Sequence, residues 1–579
     1  MCMAQLVYGQ YYLRGEVKDN KGNLLPNTKI FLHSARIFYI TDASGSFGFP
    51  ITHITDTVTL SRDGFNTEKI VVNAMRPVAL QMKPSAAGNN KSAPKLSSLT
   101  ENKKRDGRLY AHFDNETYFQ LAENENVLVK DYPNTSFSLN VNKASYSNVR
   151  RFLNMKSKVP VDAVRVEELI NYFNLQYKEP APGNVFRIES QLSSCPWNAN
   201  KNLLFVNVSA KKLDLGKTAP GNFVFLIDVS GSMDMPNRLP LLKAAFQLFV
   251  KNLRPVDKVS IVIYGGSVGI WLDPTSGANK EKIIQSIEEL EASGDTPGES
   301  AIRAAYTVAE KTFIEGGTNR VILATDGDFN VGETSEKDLE ELITKKKQSG
   351  VYLTCLGVGM GNFKDSKLQA LAKKGNGNYA YLDDINEAQK VLVKELTQTM
   401  YGVADDVSMQ LEFNPAAVKE YRLIGFDNRR DAIADDKSEL EGGDIGSGNS
   451  TLAIFEILPA DTAKLNTGNI IASIKLKYNC GNDTLSHMLR YTAIDNYKPI
   501  DDIDKELKFA SAVAMFGLTL RNSVYIHQAN WPLIKAIAQS SANESDFLQQ
   551  QFVKQVLNAE MIYSDKLPAR KKGRRKAAN

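Results

Sequence analysis

Between residues 222 and 400 two hydrophobic rhythms alternate along the chain. Apolar runs at 223–229, 258–264, 320–325, 351–357 and 377–381 have strand length. The segments 239–253, 281–290, 301–311, 339–349, 366–373 and 385–400 carry apolar residues at helical spacing. This alternation predicts a doubly wound, Rossmann-like α/β sheet over 221–400, with ligand sites at the carboxyl ends of its strands. Residues 9–82 instead break β-rich runs with turn signals at Asp19-Asn20-Lys21-Gly22, Asp42-Ala43-Ser44-Gly45 and Asp63-Gly64, which predicts an all-β sandwich. Residues 83–108 have too little to bury to offset their ordering entropy and read as a linker. A mixed segment at 109–220 is helix-like at 146–153 and 164–173 and strand-like at 202–209. Strands return over 401–500 (407–413, 450–457, 470–478), so the α/β segment is expected to be inserted into a sandwich built from both sides. Residues 501–565 are helical, with two stripes, Phe509, Val513, Phe516, Leu520 and Leu548, Phe552, Val556, Ala559, expected in a core. Residues 566–579 form a basic tail.

A single hydrophobic core stops growing near roughly 250–300 residues, so 579 residues require several domains. With 42% hydrophobic and 23% charged residues the chain is ordinary for a folded protein, which excludes a disordered or collagen-like one. The net charge of +4 is misleading: residues 566–579 hold seven Lys or Arg and no acid, and without them the sum is −3. A nucleic-acid surface needs basic residues spread over a folded face, so no nucleic-acid partner is expected. The four cysteines (2, 195, 355, 480) and five histidines (33, 53, 112, 487, 527) are too scattered for a disulfide framework, a zinc motif or a local His-based triad. No stretch approaches the roughly 20 apolar residues of a membrane span. Met1-Cys2-Met3-Ala4 before Gln5 resembles the end of a signal peptide, so residues 1–8 are read as its remnant. Export to periplasm, outer membrane or cell surface follows, with a lipid anchor left open.

The chemistry concentrates at strand ends. The run 223–227 enters Asp228-Val229-Ser230-Gly231-Ser232, the later run 321–324 enters Thr325-Asp326-Gly327-Asp328, and Ser293-Gly294-Asp295-Thr296 lies between them ahead of a helix. Three loops on one sheet edge thus offer carboxylate and hydroxyl oxygens to one point. An all-oxygen set with few anions suits Mg²⁺, with Mn²⁺ as a substitute. The Ser230 and Ser232 hydroxyls are short enough to coordinate directly; which of Asp228 and Asp326 binds through water is not set by spacing. Helix capping would explain a serine here but not the paired aspartates. Asp234, Asp295 and Asp328 are expected to be solvated and to keep the rim negative.

These residues resemble the metal-ion-dependent adhesion site of a von Willebrand factor A domain, which covers 221–400. The resemblance implies that Asp228, Ser230, Ser232, Thr296 and Asp326 form the metal site. It also implies that the ion keeps one position open for an Asp or Glu of a protein partner, and that the domain binds without catalysing. Gly316-Gly317-Thr318-Asn319 is a decoy for the threonine motif, since it precedes a strand and belongs at the opposite edge. Gly15-Glu16-Val17, residues 22–26, Thr41-Asp42 to Gly45-Ser46-Phe47 and Gly64-Phe65 resemble the carboxypeptidase-regulatory-like domain, a transthyretin-like sandwich of exported proteins. The stretches 145–153, 165–173, Cys195-Pro196-Trp197-Asn198 and 420–425 resemble the flanks of bacterial exported, often lipid-anchored A-domain proteins. Asn140 and Asn142 stand where that pattern has aspartates, and Asp295 where it has serine, which argues against an accessory cation site in the flank.

Two other functions fit parts of the pattern. A phosphotransferase of the haloacid-dehalogenase type needs a second acid two residues after its first-strand aspartate, and here that residue is Ser230. No Gly-x-x-x-x-Gly-Lys phosphate loop occurs. An internal latch is the other reading: the site would grip an acid of its own flanks, with Glu412, Glu420 or the 431–444 loop as candidates. The expected function is therefore non-catalytic protein–protein interaction at the bacterial cell envelope through a Mg²⁺-occupied site.

Overall fold

A computed structural model describes residues 11–34, 37–42, 44–51, 53–62, 65–83, 116–119, 123–265, 267–294, 298–327, 336–361, 363–426, 443–460, 468–480, 486–526 and 530–564. The chain forms two compact units, Met1–Ser92 and Ala93–Asn579. In the first, seven strands make a three-stranded sheet (Ser46–Ile51, Tyr11–Asp19, Val78–Met82) and a four-stranded one (Ile37–Ile40, Lys29–Leu32, Thr55–Ser61, Glu68–Asn73). Leu13, Val17, Ile30, Leu32, Val58 and Leu60 are fully buried in their common core. The unit is all-β, as its turn spacing predicts.

The second unit contains the α/β domain. Its sheet runs Ser267–Ser276, Lys258–Gly265, Gly221–Asp228, Thr318–Thr325, Tyr352–Gly357, Tyr379–Tyr381. All neighbours are parallel except the first pair. In chain order this is 3-2-1-4-5-6, the doubly wound arrangement whose strand order reverses beside the first strand. That strand is buried along its whole length, which is why it reads as one unbroken apolar run. Alternate residues serve opposite faces: Phe223, Phe225 and Ile227 pack on helix Leu239–Lys251, while Val224 and Leu226 pack on helix Gly298–Lys311. The helix Leu239–Lys251 meets the sheet with Leu242, Ala245, Phe246, Phe249 and Val250 and begins with a proline in its first turn, where the missing N–H costs nothing.

The sequence reading missed the edge strand Ser267–Ser276, and the helix read over 385–400 is broken. Between Ile385–Gln389 and Leu396–Met400 lies one π-helical turn, Lys390–Lys394, where the Glu395 N–H reaches back to the Lys390 carbonyl at 2.8 Å.

The segments on either side of the α/β domain share their sheets. Strand Asn202–Ala210 pairs antiparallel with Ser450–Pro459 in a five-stranded sheet, and Asn134–Ser138 adds to Gly402–Phe413 of a second sheet. The α/β domain is thus inserted into a β-sandwich made from both flanks. Leu204, Val206, Ala453 and Phe455 face the second sheet, whereas Leu203, Phe205, Leu452 and Ile454 face helices Ala144–Asn154, Val166–Asn171, Lys505–Leu520, Trp531–Ser541 and Phe547–Tyr563. Seven of the eight stripe residues are buried, and Leu548 packs partly buried against the same core.

The flank is fastened to the α/β domain by charges from helix Ala144–Asn154 and from Arg165, which precedes helix Val166–Asn171. Arg150, 1% exposed, contacts Asp383 at 2.5 Å and Glu387 at 2.7 Å. Arg165 binds Asp365 at 2.7 Å as well as Glu168. Asn142 accepts the Tyr379 N–H at 2.9 Å, so this departure from the family pattern serves a structural bond.

Candidate metal-binding site

The strand order reverses between Gly221–Asp228 and Thr318–Thr325, the place where open α/β sheets bind ligands, and four of the five sequence-identified residues lie at the carboxyl ends of these strands. Asp228 closes the first strand fully buried. Its Oδ1 accepts the Ser230 N–H at 2.9 Å, and its Oδ2 accepts the Thr325 hydroxyl at 2.9 Å. Ser230 Oγ stands 3.1 Å from Ser232 Oγ, which donates to Asp326 Oδ2 at 2.9 Å. Three of the five predicted ligands therefore form one chain of oxygens, and Asp228 joins it through the Ser230 N–H; Thr296 lies outside the described residues, as do Asp295 and Asp328.

The loop that leads to Thr296 is nevertheless tied to the first. Ser293 N–H donates to the Val229 carbonyl at 2.6 Å and Gly231 N–H to the Gly294 carbonyl at 3.0 Å. Gly265 permits this approach: a Cβ there would stand 2.7 Å from both the Ser293 oxygen and the Val229 carbonyl carbon. On the third loop, Gly327 takes a positive φ of 85° and turns the chain away, its N–H donating to Thr325 Oγ1 at 3.1 Å. Thr318 opens its strand and so lies at the opposite edge, as expected of the decoy.

Burial pushes the Asp228 carboxyl up to about 6; the Ser230 and Thr325 hydrogen bonds oppose the shift and the Asp326 charge adds to it. The Tyr264 phenol, fully buried beside Asp228, is driven well above its ordinary range chiefly by burial and then by that carboxylate. The buried Asp228 carboxylate, held above its ordinary range, is what a cation would neutralise. The donors also fit Mg²⁺: adjacent ligands of an octahedron with bonds near 2.1 Å lie about 3 Å apart, close to the 3.1 and 2.9 Å separations along this chain of oxygens. Among the described residues no three His, Cys, Asp or Glu side chains gather at one point, so a softer, nitrogen- or sulfur-rich metal site has no candidate there.

Arg238, which precedes helix Leu239–Lys251, escaped the sequence reading. Its Nη1 donates to Asp326 Oδ2 at 2.7 Å and to the Ser232 carbonyl at 2.5 Å, and its Nη2 to the Met360 carbonyl at 3.2 Å. The flank reaches the same region: Gly361 N–H donates to Glu116 Oε1 at 2.8 Å, Glu116 is paired with Arg151 at 2.8 Å, and Thr117 N–H donates to the Phe363 carbonyl at 3.1 Å. The proposed latch acids are placed elsewhere in the flank sheets, Glu412 opposite Ser473 and Asn134 and Glu420 opposite Leu128. Most of the 431–444 loop lies outside the described residues.

A 3-2-1-4-5-6 sheet with an Asp-x-Ser-x-Ser loop at its reversal point defines a von Willebrand factor A domain. The family described as "von Willebrand factor type A domain" matches residues 222–395, "von Willebrand factor" matches 112–205, and "Uncharacterized protein YfbK, C-terminal" matches 398–562. The chain is 37% identical over 458 residues to the Escherichia coli (strain K12) protein named "Uncharacterized protein YfbK", covering 75% of this chain and 78% of that one. It belongs to that family. A shorter similarity, 30% over 150 residues, links it to bovine "Inter-alpha-trypsin inhibitor heavy chain H4", of which it spans 16%. The solved "von Willebrand factor type A from Catenulispora acidiphila" is 15% identical, covers 66% of this chain and 90% of that one, and aligns with a TM-score of 0.39. No helix among the described residues is long and apolar enough to cross a membrane.

Proposed function

We propose that the chain is a non-catalytic binding protein that holds Mg²⁺ between Asp228, Ser230, Ser232, Thr296 and Asp326 and uses the ion to grip an Asp or Glu of a protein partner. The observation that carries this reading is the run of oxygens from Ser230 Oγ through Ser232 Oγ to Asp326 Oδ2 beside the buried Asp228, at the reversal point of the sheet. Ser230 and Ser232 would bind the ion directly and the aspartates would balance its charge, one of them through water. The ion would supply a Lewis-acidic position for an incoming carboxylate, and the protein would supply its orientation. A cell-envelope address rests on the likeness of the N-terminal β unit to domains of exported proteins, and fractionation of cells producing the natural gene product tests it.

The binding reading is tested with full-length chain immobilised in Mg²⁺ or in chelator, with Ser230→Ala/Ser232→Ala as control once its melting transition matches wild type. Envelope proteins retained by wild type in Mg²⁺ alone, and released by free glutamate-rich peptide, support it. Equal retention under all three conditions overturns it.

A further inference from the structure

Arg238 sits where a second cation has no obvious reason to be. Its guanidinium donates to the same Asp326 oxygen, Oδ2, that accepts the Ser232 hydroxyl, and to the Ser232 main-chain oxygen as well. The pair is well shielded, with Asp326 4% and Arg238 15% exposed, so solvent screens it weakly. The placement is built in. Arg238 is fixed at its base by the start of helix Leu239–Lys251 and at its tip by the Met360 carbonyl, and Gly359, at a φ of 80°, leaves room for it. A Cβ on Gly359 would stand 2.7 Å from Arg238 Nε. That Nε is itself buried without a hydrogen-bond partner, so the guanidinium is held largely through its Nη atoms.

We infer that Arg238 is a tethered competitor of the divalent ion: its guanidinium neutralises Asp326 in the metal-free protein and surrenders that oxygen when the ion binds. The inference rests on the reading of this cluster as a metal site. Two cations cannot share one carboxylate oxygen at contact distance without repulsion, whereas the Ser232 hydroxyl can keep its hydrogen on Asp326 and still offer a lone pair to the ion. Loading the site therefore loosens the Arg238–Asp326 contact, and with it the tie to the 359–361 loop. The device lowers divalent affinity while keeping the empty site folded.

The test is a titration of full-length chain with Mn²⁺ alone, read by the electron paramagnetic resonance of the free ion, for wild type, Arg238→Gln and Arg238→Lys. A charged hydrogen bond of this kind is worth roughly tenfold or more in an equilibrium constant. Arg238→Gln is therefore expected to bind Mn²⁺ about tenfold more tightly than wild type, and to gain more in melting temperature on adding Mn²⁺ from a lower value in chelator. Arg238→Lys keeps a positive charge but cannot span Ser232, Asp326 and Met360 together, so a smaller, few-fold tightening is expected. It carries the test alone if the glutamine variant does not fold. Unchanged or weaker Mn²⁺ binding in a folded variant, with wild type binding normally, overturns the competition and leaves the metal site standing. No Mn²⁺ binding by wild type or variants removes the metal site and this inference with it.

Discussion

Asp228→Asn is expected to stabilise the metal-free protein. The Asp228 carboxyl titrates near 3.8 in an unfolded chain and near 6 in the folded one, because burial penalises the charged form more than the Ser230 and Thr325 hydrogen bonds favour it. Between those values the folded chain binds a proton that the unfolded chain has lost, so stability falls as pH rises from about 4 to about 6 and is level above. A shift of about two units corresponds to about 3 kcal/mol against the folded state at pH 7.5. Asparagine removes the charge and keeps the shape: its Oδ1 still accepts the Ser230 N–H. Its Nδ2 can donate to Thr325 Oγ1, which has the lone pairs for it. Allowing for an imperfect exchange at Thr325, the gain is about 2 to 3 kcal/mol. Urea unfolding in chelator at pH 7.5 and pH 4, followed through the transition of the Ala93–Asn579 unit, measures it. The variant should lead at the higher pH and converge with wild type at the lower. In saturating Mg²⁺ the order should reverse, because only wild type gains binding free energy. A variant less stable than wild type in chelator at pH 7.5 would show that the carboxylate is not the uncompensated charge and would refute the reasoning.

Other outcomes are equally specific. Gly265→Ala puts a methyl group 2.7 Å from backbone of the Ser293 and Val229 loops; overpacking of this kind costs about 1–3 kcal/mol. It should weaken Mn²⁺ binding roughly tenfold or more by forcing the Thr296 loop away, and unchanged binding in a titration calorimeter would count against that loop's part in the site. Arg165→Leu strands Glu168 and Asp365, both nearly fully buried, and should cost about 3–5 kcal/mol in urea unfolding; a loss below about 1 kcal/mol would mean the pair is not what fastens flank to A domain. Trp197→Phe removes the indole N–H that donates to Glu456 at 2.7 Å and should cost about 1.5–3 kcal/mol by the same measurement, with no change in Mn²⁺ affinity.

What the sequence revealed and concealed divides by range of interaction. Strand and helix identities in the A domain follow from local period, and Asp228, Ser230, Ser232 and Asp326 were legible because each motif is short and directly follows a buried strand. Insertion of the A domain was legible too, from strand-rich pieces on both sides. The edge strand Ser267–Ser276 was not: it leaves Ile270 and Trp271 exposed at 55% and 41%, so it lacks the apolar run that marks its neighbours. Arg238 had no motif, since an arginine before a helix is ordinary until the fold carries Asp326 to it. The carboxylate partners of Arg150, Arg151 and Arg165 lie between 35 and 237 residues away in the chain, Glu168 excepted. A segment that reads as chemically quiet therefore supplies much of the charge that joins the flank to the A domain.

That junction bears on the candidate site as well as on the fold. Beside the A-domain strand Tyr352–Gly357, Gly361 is held by Glu116, Glu116 by Arg151, and Phe363 by Thr117, while Met360 holds Arg238. The chain enters and leaves the A domain through the sandwich, so the strand order that places the site and the flank that braces one of its loops are parts of a single folded unit. Ordering that loop in advance removes conformational entropy that binding would otherwise have to overcome. The flank and Arg238 thus act on the same loop, the one through Gly361 and the other through Met360.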